Sequence, residues 1–394
     1  MAPDARWFLP LMAVTGVTMS LTAPLEVLFA HQFWDSSGYV AVFMLSAAVG
    51  IIVIDVFGSR FVPGLDAKIA LVAGLVTFGC ACVGLGVASE NVVMMASRVL
   101  QGLGGGMVLG AGLQAAVRVR PPSAVVTAAP SSDLARSLSR FNAAFLFGGA
   151  VGAPGGLLIA GIINGKVGFQ IALVSTGVLA LLLAALLAMA LPGLGAPDGT
   201  PPPRLGLPRF GGAPGNGAAL LLATGADFLR GGVLFTALPL AGAARDQSTI
   251  TITAAIAVMS GVEIVVLAVA PRIIRRIGVF TLLITAFAIG VVSATLIAVL
   301  DSATTYLLAS ALFGLSLAGA TASLPVLVVA QVGNSSAGLA KFRISAGIGQ
   351  LAGMVGCAVL ASQIGITALF TVIAVILLLS TQLTHLVGRR MAAT

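Results

Sequence analysis

Charged residues are scarce in this chain of 394 residues. Asp, Glu, Lys and Arg together make up 8% of it, and 59% of its residues are hydrophobic. A soluble domain carries about a quarter charged residues. This composition excludes an ordinary water-soluble fold and makes hydropathy the main guide to structure.

Cysteine and histidine are also few, with three Cys and two His in the whole chain. Cys80 and Cys82 would face different sides of one helix, and no group of His, Cys and acidic residues has metal-ligand spacing. We therefore expect no metal and no cofactor.

Motifs of enzymes and ATP-driven pumps are missing as well. No nucleotide-binding loop is present, so ATP-driven transport by this chain alone is not expected. No Ser, His and Asp arrangement has catalytic spacing either. The sequence therefore predicts a protein that is not an enzyme.

Long apolar runs recur along the whole chain, and each can cross about 30 Å of hydrocarbon as a helix. Their lengths and lack of alternation exclude barrel strands. We predict an all-α membrane protein with twelve spans, at about 8–30, 38–58, 68–88, 91–117, 139–163, 168–191, 217–241, 249–270, 278–300, 304–330, 339–363 and 366–387. The first run lacks a small-residue cleavage site and is predicted to be retained as a helix.

The basic residues predict the orientation of the chain in the membrane. With both termini in the cytoplasm, sixteen of the twenty Lys and Arg lie on the inner side, and only Lys166 and Arg245 lie outside. This bias obeys the positive-inside rule, so the net charge of +8 needs no nucleic-acid partner. The preference for Arg, Ala and Gly suggests a GC-rich bacterial genome, and we expect a multi-pass protein of the cell inner membrane.

A proline-rich segment separates two sets of six predicted helices. Residues 192–216 hold seven of the eighteen prolines and no apolar run, which predicts an extended cytoplasmic linker. The predicted domains are a six-helix half at 1–191, this linker, and a second half at 217–394. Repeated six-helix halves are typical of transporters, and two of them enclose a pathway in one chain, so we expect a functional monomer.

One arginine lies deep in the fourth predicted span. Arg98 is costly there, by about 2.5–3.5 kcal/mol on insertion scales, and calls for a counter-charge. Glu26 in the first span lies at a similar depth, so the two are predicted to pair if their helices are neighbours. Such a pair either couples a proton or contacts substrate, because loss of the arginine favours the protonated acid; alternatively it only fixes helix packing.

Other intramembrane charges are candidates of the same kind. Asp227 and Arg230 lie three residues apart near the membrane midplane, where they can neutralise each other or meet a substrate. Glu263 has no counter-charge that the sequence identifies, so it is either a protonated buried acid or a second titrating site. Asp55 lies near the inner surface and is predicted to help to close the inner face.

Glycine-rich stretches surround the intramembrane arginine. The stretch RVLQGLGGG starts at Arg98 and continues through Gln101, Gly102 and Gly104. Small residues let another helix approach closely. This stretch resembles the fourth-helix motif RxxQGxG of the major facilitator superfamily.

A second stretch, FGGAVGAPGG, occupies residues 147–156. It is similar to the fifth-helix motif GxxxGPxxGG of proton-coupled exporters in that family, through Gly148, Gly152, Pro154 and Gly156. The proline is displaced by one position from the usual GP pair. The resemblance covers the whole chain and implies the twelve-helix major facilitator fold, with alternating access by rocking of the two halves.

The loop between helices two and three departs from the family pattern GxxxDRxGRR. It keeps Gly58 and a basic residue, Lys68, but places Val62 where the pattern has Asp, so Asp66 is the candidate replacement. The resemblance further implies proton exchange at cavity acids, and these roles fall to Glu26 and Arg98.

The leading hypothesis is a proton-coupled exporter of small amphipathic organic compounds, of the kind that gives multidrug resistance. Its proton-coupling candidates are Glu26, Arg98, Asp227 and Glu263, and its substrate-binding candidates are Glu26, Arg98, Gln101, Asp227 and Arg230. One alternative is a dedicated importer or exporter that binds an anionic metabolite through Arg98 and Arg230. A more remote alternative is a membrane sensor or assembly factor that does not transport.

Overall fold

A computed structural model describes residues 7–34, 37–54, 66–118, 130–163, 165–195, 216–299, 301–332 and 336–393. Regular structure in these ranges is helical and includes no strand. Helices satisfy the backbone amides and carbonyls within one segment, which a chain surrounded by hydrocarbon requires. The prediction of an all-α membrane protein is confirmed.

The helices are numbered α1 to α13 in chain order, with one π-helical segment between α8 and α9. Their bounds are α1 Phe8–Ser20, α2 Ala23–Phe33, α3 Ser37–Val53, α4 Ala67–Val87, α5 Asn91–Arg118, α6 Pro130–Ile163, α7 Gly165–Ala190, α8 Asn216–Leu229, the π-helical segment Arg230–Ala237, α9 Leu238–Ala243, α10 Thr249–Ile277, α11 Val279–Val299, α12 Ala303–Val332 and α13 Ser336–Ala393.

Ten segments among the described residues are long and apolar enough to cross a membrane, and Gly38–Ile51 is a shorter apolar helix. Helices α1 and α2 together form the first of these segments, and α8, the π-helical segment and α9 together form another. Gly365, with φ of 80°, interrupts α13 between the last two predicted spans. The count of twelve spans and the cytoplasmic position of the termini stay predictions.

The chain divides into two compact units. Unit 1 comprises Met1–Phe29 and Val42–Leu207, and unit 2 comprises Ala30–Ala41 and Pro208–Thr394. In unit 1, α4 packs against α5 and α7, and α1 packs against α6. In unit 2, α12 packs against α10 and α11, and α13 packs against α8 and α11. The domain boundaries predicted around the proline-rich linker stay predictions.

The glycines of the two sequence motifs lie where helices of unit 1 approach one another closely. A Cβ atom at Gly148 or Gly152 of α6 would collide with the carbonyl oxygens of Ala13 or Val17 in α1. Gly156 of α6 would likewise collide with the carbonyl oxygen of Leu21. Backbone oxygens cannot move aside as a flexible side chain can, so these positions admit only glycine without separating the helices.

The fourth-helix motif packs in the same way. A Cβ at Gly102 of α5 would collide with the carbonyl oxygen of Ala47 in α3, and one at Gly104 would lie 2.5 Å from the amide nitrogen of Phe78 in α4. These two glycines thus bring α5 against α3 and α4. Pro154, from the fifth-helix motif, lies inside α6.

Candidate functional site

A buried ion pair joins α2 and α5 in unit 1. Nη2 of Arg98 lies 2.6 Å from Oε2 of Glu26, and each side chain is only 3% exposed. The pairing expected from their similar depth is present in the structure. Its role in proton coupling or substrate binding stays a prediction.

Gln101, one turn beyond Arg98 on α5, binds both members of this pair. Its Nε2 donates to Oε1 of Glu26 at 2.5 Å and to Oγ1 of Thr22 at 3.1 Å. Its Oε1 accepts a hydrogen bond from Nη1 of Arg98 at 2.6 Å. The spacing of three residues along one helix makes this contact possible. Both carboxylate oxygens of Glu26 therefore receive a donor, and the cluster of Glu26, Arg98 and Gln101 is electrically neutral.

Apolar and sulfur-containing side chains enclose this cluster. The guanidinium carbon of Arg98 lies 5.1 Å from the ring centroid of Phe43. Sδ of Met44 lies 4.0 Å from Nη2 of Arg98, and Sγ of Cys82 lies 3.4 Å from Nε2 of Gln101. Because the surroundings contain few polar groups, a charge added to or removed from the cluster acts on its partners with little screening.

Unit 2 contains a second buried ion pair. Arg230, the first residue of the π-helical segment, donates through Nη2 to Oε1 of Glu263 on α10. The same nitrogen donates to Oγ1 of Thr321 on α12 at 2.6 Å. The Arg230 side chain is 14% exposed and that of Glu263 is 5% exposed. Three helical elements therefore meet at this pair.

The counter-charge of Arg230 is Glu263, whereas the sequence suggested the neighbouring Asp227. The Asp227 carboxylate, half-buried on α8, forms no hydrogen bond or ion pair with the part of the chain that the structure describes. Arg230 and Glu263 lie near the middle of their apolar segments, 217–243 and 249–277. They therefore lie at similar depths in the membrane, which is the same relationship that predicts the pair of Glu26 and Arg98.

The structure describes only some of the conformational candidates around the loop between the second and third predicted spans. Asp55 and Gly58 lie outside the described residues. Asp66 caps the start of α4, where its Oδ1 accepts from the backbone nitrogen of Lys68 at 2.8 Å and from that of Leu194 at 2.9 Å. The carboxylate therefore fixes the helix end to the segment after α7.

Several contributors to the two clusters are not found by sequence reasoning. Thr22, Cys82 and Thr321 are small residues without a charge, and they reach the clusters only through helix packing. Among the described residues, no group of three or more His, Cys, Asp or Glu side chains could hold a metal ion.

The sequence model of the Major Facilitator Superfamily matches residues 7–342. The chain belongs to the Major Facilitator Superfamily. This membership and the candidate spans identify it as a multi-pass membrane protein of transporter type, for which a small-molecule substrate is expected, and not as an enzyme. A search of curated protein sequences gives no significant match.

Solved structures of other Major Facilitator Superfamily transporters share the fold. The human organic anion transporter MFSD10 (TETRAN) is 14% identical, with a TM-score of 0.68 over 97% of this chain and 100% of that one. The nucleoside transporter NupG is 14% identical, with a TM-score of 0.67 over 98% of each chain. A bacterial homologue of the human lysosomal transporter Spinster, solved inward-facing and unoccupied, is 11% identical, with a TM-score of 0.71 over 98% of this chain and 96% of that one. At these identities the likeness shows the fold alone.

Proposed function

We propose that this protein is a proton-coupled secondary active transporter that exports small amphipathic organic compounds by alternating access. The observation that carries the proposal is the buried network of Glu26, Arg98 and Gln101 in a Major Facilitator Superfamily protein. Buried intramembrane charges are costly and are typical of proton and substrate pathways.

Protonation of Glu26 changes the charge of this network. The ionised carboxylate accepts from Arg98 and Gln101, so the cluster is neutral. A proton added to Glu26 removes the counter-charge of Arg98 and leaves a buried cation with no anion beside it. An uncompensated buried charge is destabilising by several kcal/mol, so proton binding favours a conformation in which the arginine reaches water or another acid.

The second ion pair offers the same chemistry in unit 2. Glu263 neutralises Arg230 and is a second proton-coupling candidate, while Asp227 and Arg230 are substrate-binding candidates. The close approaches at Gly102, Gly104, Gly148, Gly152 and Gly156 support tight helix pairs that move as units during transport.

An anionic substrate is disfavoured by the same geometry. Arg98 and Arg230 each have a glutamate within hydrogen-bond range. A substrate carboxylate would therefore have to displace a buried acid before it reached either arginine. The two arginines that would define a dedicated anion transporter are already neutralised.

The test is proton flux in inverted membrane vesicles whose interior is acidified. A fluorescent pH probe inside the vesicles reports proton release on addition of lipophilic cations or neutral amphiphiles. We expect release in the wild-type protein and its loss in Glu26→Gln. The matched control is Glu90→Gln, which removes an exposed carboxylate near the start of α5 and should transport normally. Normal proton release in Glu26→Gln would exclude the coupling role of Glu26, and no release with any compound in the wild type would contradict the proposed function.

A further inference from the structure

The charges inside the spans do not balance in unit 2. Apart from residues at the span ends, the structure describes five charged side chains inside the spans, and four of them form the ion pairs of Glu26 with Arg98 and Glu263 with Arg230. Asp227 is the fifth. With its carboxylate ionised, the cluster of Asp227, Arg230 and Glu263 carries one net negative charge, whereas the cluster in unit 1 carries none.

Asp227 lies beside the second ion pair. It precedes Arg230 by three residues, which places both on one side of the helix. Arg230 and Glu263 are near enough to act electrostatically on its carboxylate. Leu221, an exposed residue of α8 with 61% of its surface accessible, lies about 120° around the helix from Asp227. The carboxylate therefore lies on a different side of α8 from the exposed Leu221 and on the same side as Arg230.

The backbone changes its hydrogen-bonding pattern at this point. Helix α8 ends at Leu229, and the π-helical segment Arg230–Ala237 follows directly. Such segments are rare and occur frequently at functional sites, because they shift the side-chain register of a helix. Along the chain, Asp227 therefore lies just before this change, and Arg230 is the first residue after it.

We propose that Asp227 binds the cationic group of the transported compound, so that the substrates are lipophilic organic cations. This inference rests on the proposed function and names its substrate class. A bound monovalent cation brings the cluster of Asp227, Arg230 and Glu263 to neutrality, whereas a bound anion raises its net charge to minus two. In surroundings of low dielectric constant this difference in charge dominates recognition.

A pair of probes with the same shape and opposite charge tests the proposal. Tetraphenylphosphonium and tetraphenylborate both carry four phenyl groups on a central atom and differ in the sign of their charge. Equilibrium binding of each radiolabelled ion to the purified full-length protein in detergent is measured without a proton gradient. We expect the wild type to bind the phosphonium at least tenfold more tightly than the borate.

The variant Asp227→Asn is expected to weaken phosphonium binding at least tenfold and to abolish the preference over the borate. The matched control is Asp301→Asn in the same unit, where the carboxylate is 81% exposed and pairs with Arg245; binding should not change there. A preference that persists in Asp227→Asn, or a wild type that binds the borate as tightly, would overturn the proposal.

A second variant keeps the test decisive if Asp227→Asn does not fold. In Glu263→Gln, Asp227 becomes the counter-charge of Arg230 and is no longer available to a ligand. Phosphonium binding should then fall at least threefold, and unchanged binding in this variant would overturn the proposal. Because these measurements need no transport, their failure is distinct from an absence of proton release in vesicles, which would contradict the proposed function instead.

Discussion

Arg98 binds Gln101 with one arm of its guanidinium group and Glu26 with the other. Nη1 lies 2.6 Å from Oε1 of Gln101, and Nη2 lies 2.6 Å from Oε2 of Glu26. The planar fork of arginine supplies two donors in fixed directions, which a lysine ammonium group does not. The geometry of the cluster therefore depends on the shape of this side chain as well as on its charge.

Arg98→Lys is expected to lower the transport rate at least tenfold, although the positive charge is retained. The shorter lysine cannot bind Gln101 and Glu26 in the same arrangement, so the carboxylate loses a positioned donor. Proton release from inverted vesicles measures this effect, and binding of a substrate in detergent separates loss of affinity from loss of coupling.

The control for this substitution is Arg275→Lys, at the exposed end of α10. It makes the same chemical change where no buried acid depends on the fork, and its transport should equal that of the wild type. Full activity in Arg98→Lys would show that only the charge of Arg98 matters.

The first ion pair was predicted from the sequence, and the second was not. Glu26 and Arg98 are isolated opposite charges at similar depths, so each is the natural partner of the other. Arg230 has an acid three residues away, Asp227, which satisfies a local pairing rule. Which helices are neighbours is decided by tertiary packing, and this packing brings Glu263 to Arg230.

The π-helical segment is a further feature that local sequence does not predict. Gly231 and Gly232 lie against α13, where a Cβ would collide with the carbonyl oxygen of Gln350 or lie 2.6 Å from Sγ of Cys357. Glycine pairs occur in many membrane helices, so they indicate close packing and not a change in hydrogen-bonding pattern. The all-α fold, in contrast, was predicted because apolar length alone requires helices in a membrane.

The three charges of unit 2 predict unequal effects of single substitutions. Arg230→Met leaves two acids, Glu263 and Asp227, without a counter-charge, and removal of one partner of a buried pair costs about 3–5 kcal/mol. Glu263→Gln is milder, since Asp227 can then neutralise Arg230. We expect thermal unfolding in detergent to show a larger fall in Tm for Arg230→Met than for Glu263→Gln.

The double variant Arg230→Met with Glu263→Gln completes this comparison. It removes both members of the pair and should be more stable than Arg230→Met alone, because one buried acid fewer is uncompensated. Additive losses of Tm in the double variant would show that the two side chains do not stabilise each other in the folded protein.

Substitution of single glycines tests the close approach of α1 and α6. A Cβ at Gly148 would collide with the carbonyl oxygen of Ala13, whereas nothing lies within 4 Å of a Cβ at Gly110. Gly148→Ala is therefore expected to destabilise the protein by about 1–3 kcal/mol, the usual cost of forcing extra atoms into a packed interface. Gly110→Ala in α5 should be neutral or stabilising by up to about 1 kcal/mol, because alanine favours helix more than glycine does. Thermal unfolding of both variants in detergent gives the comparison, and equal Tm values would show that α1 and α6 separate without cost.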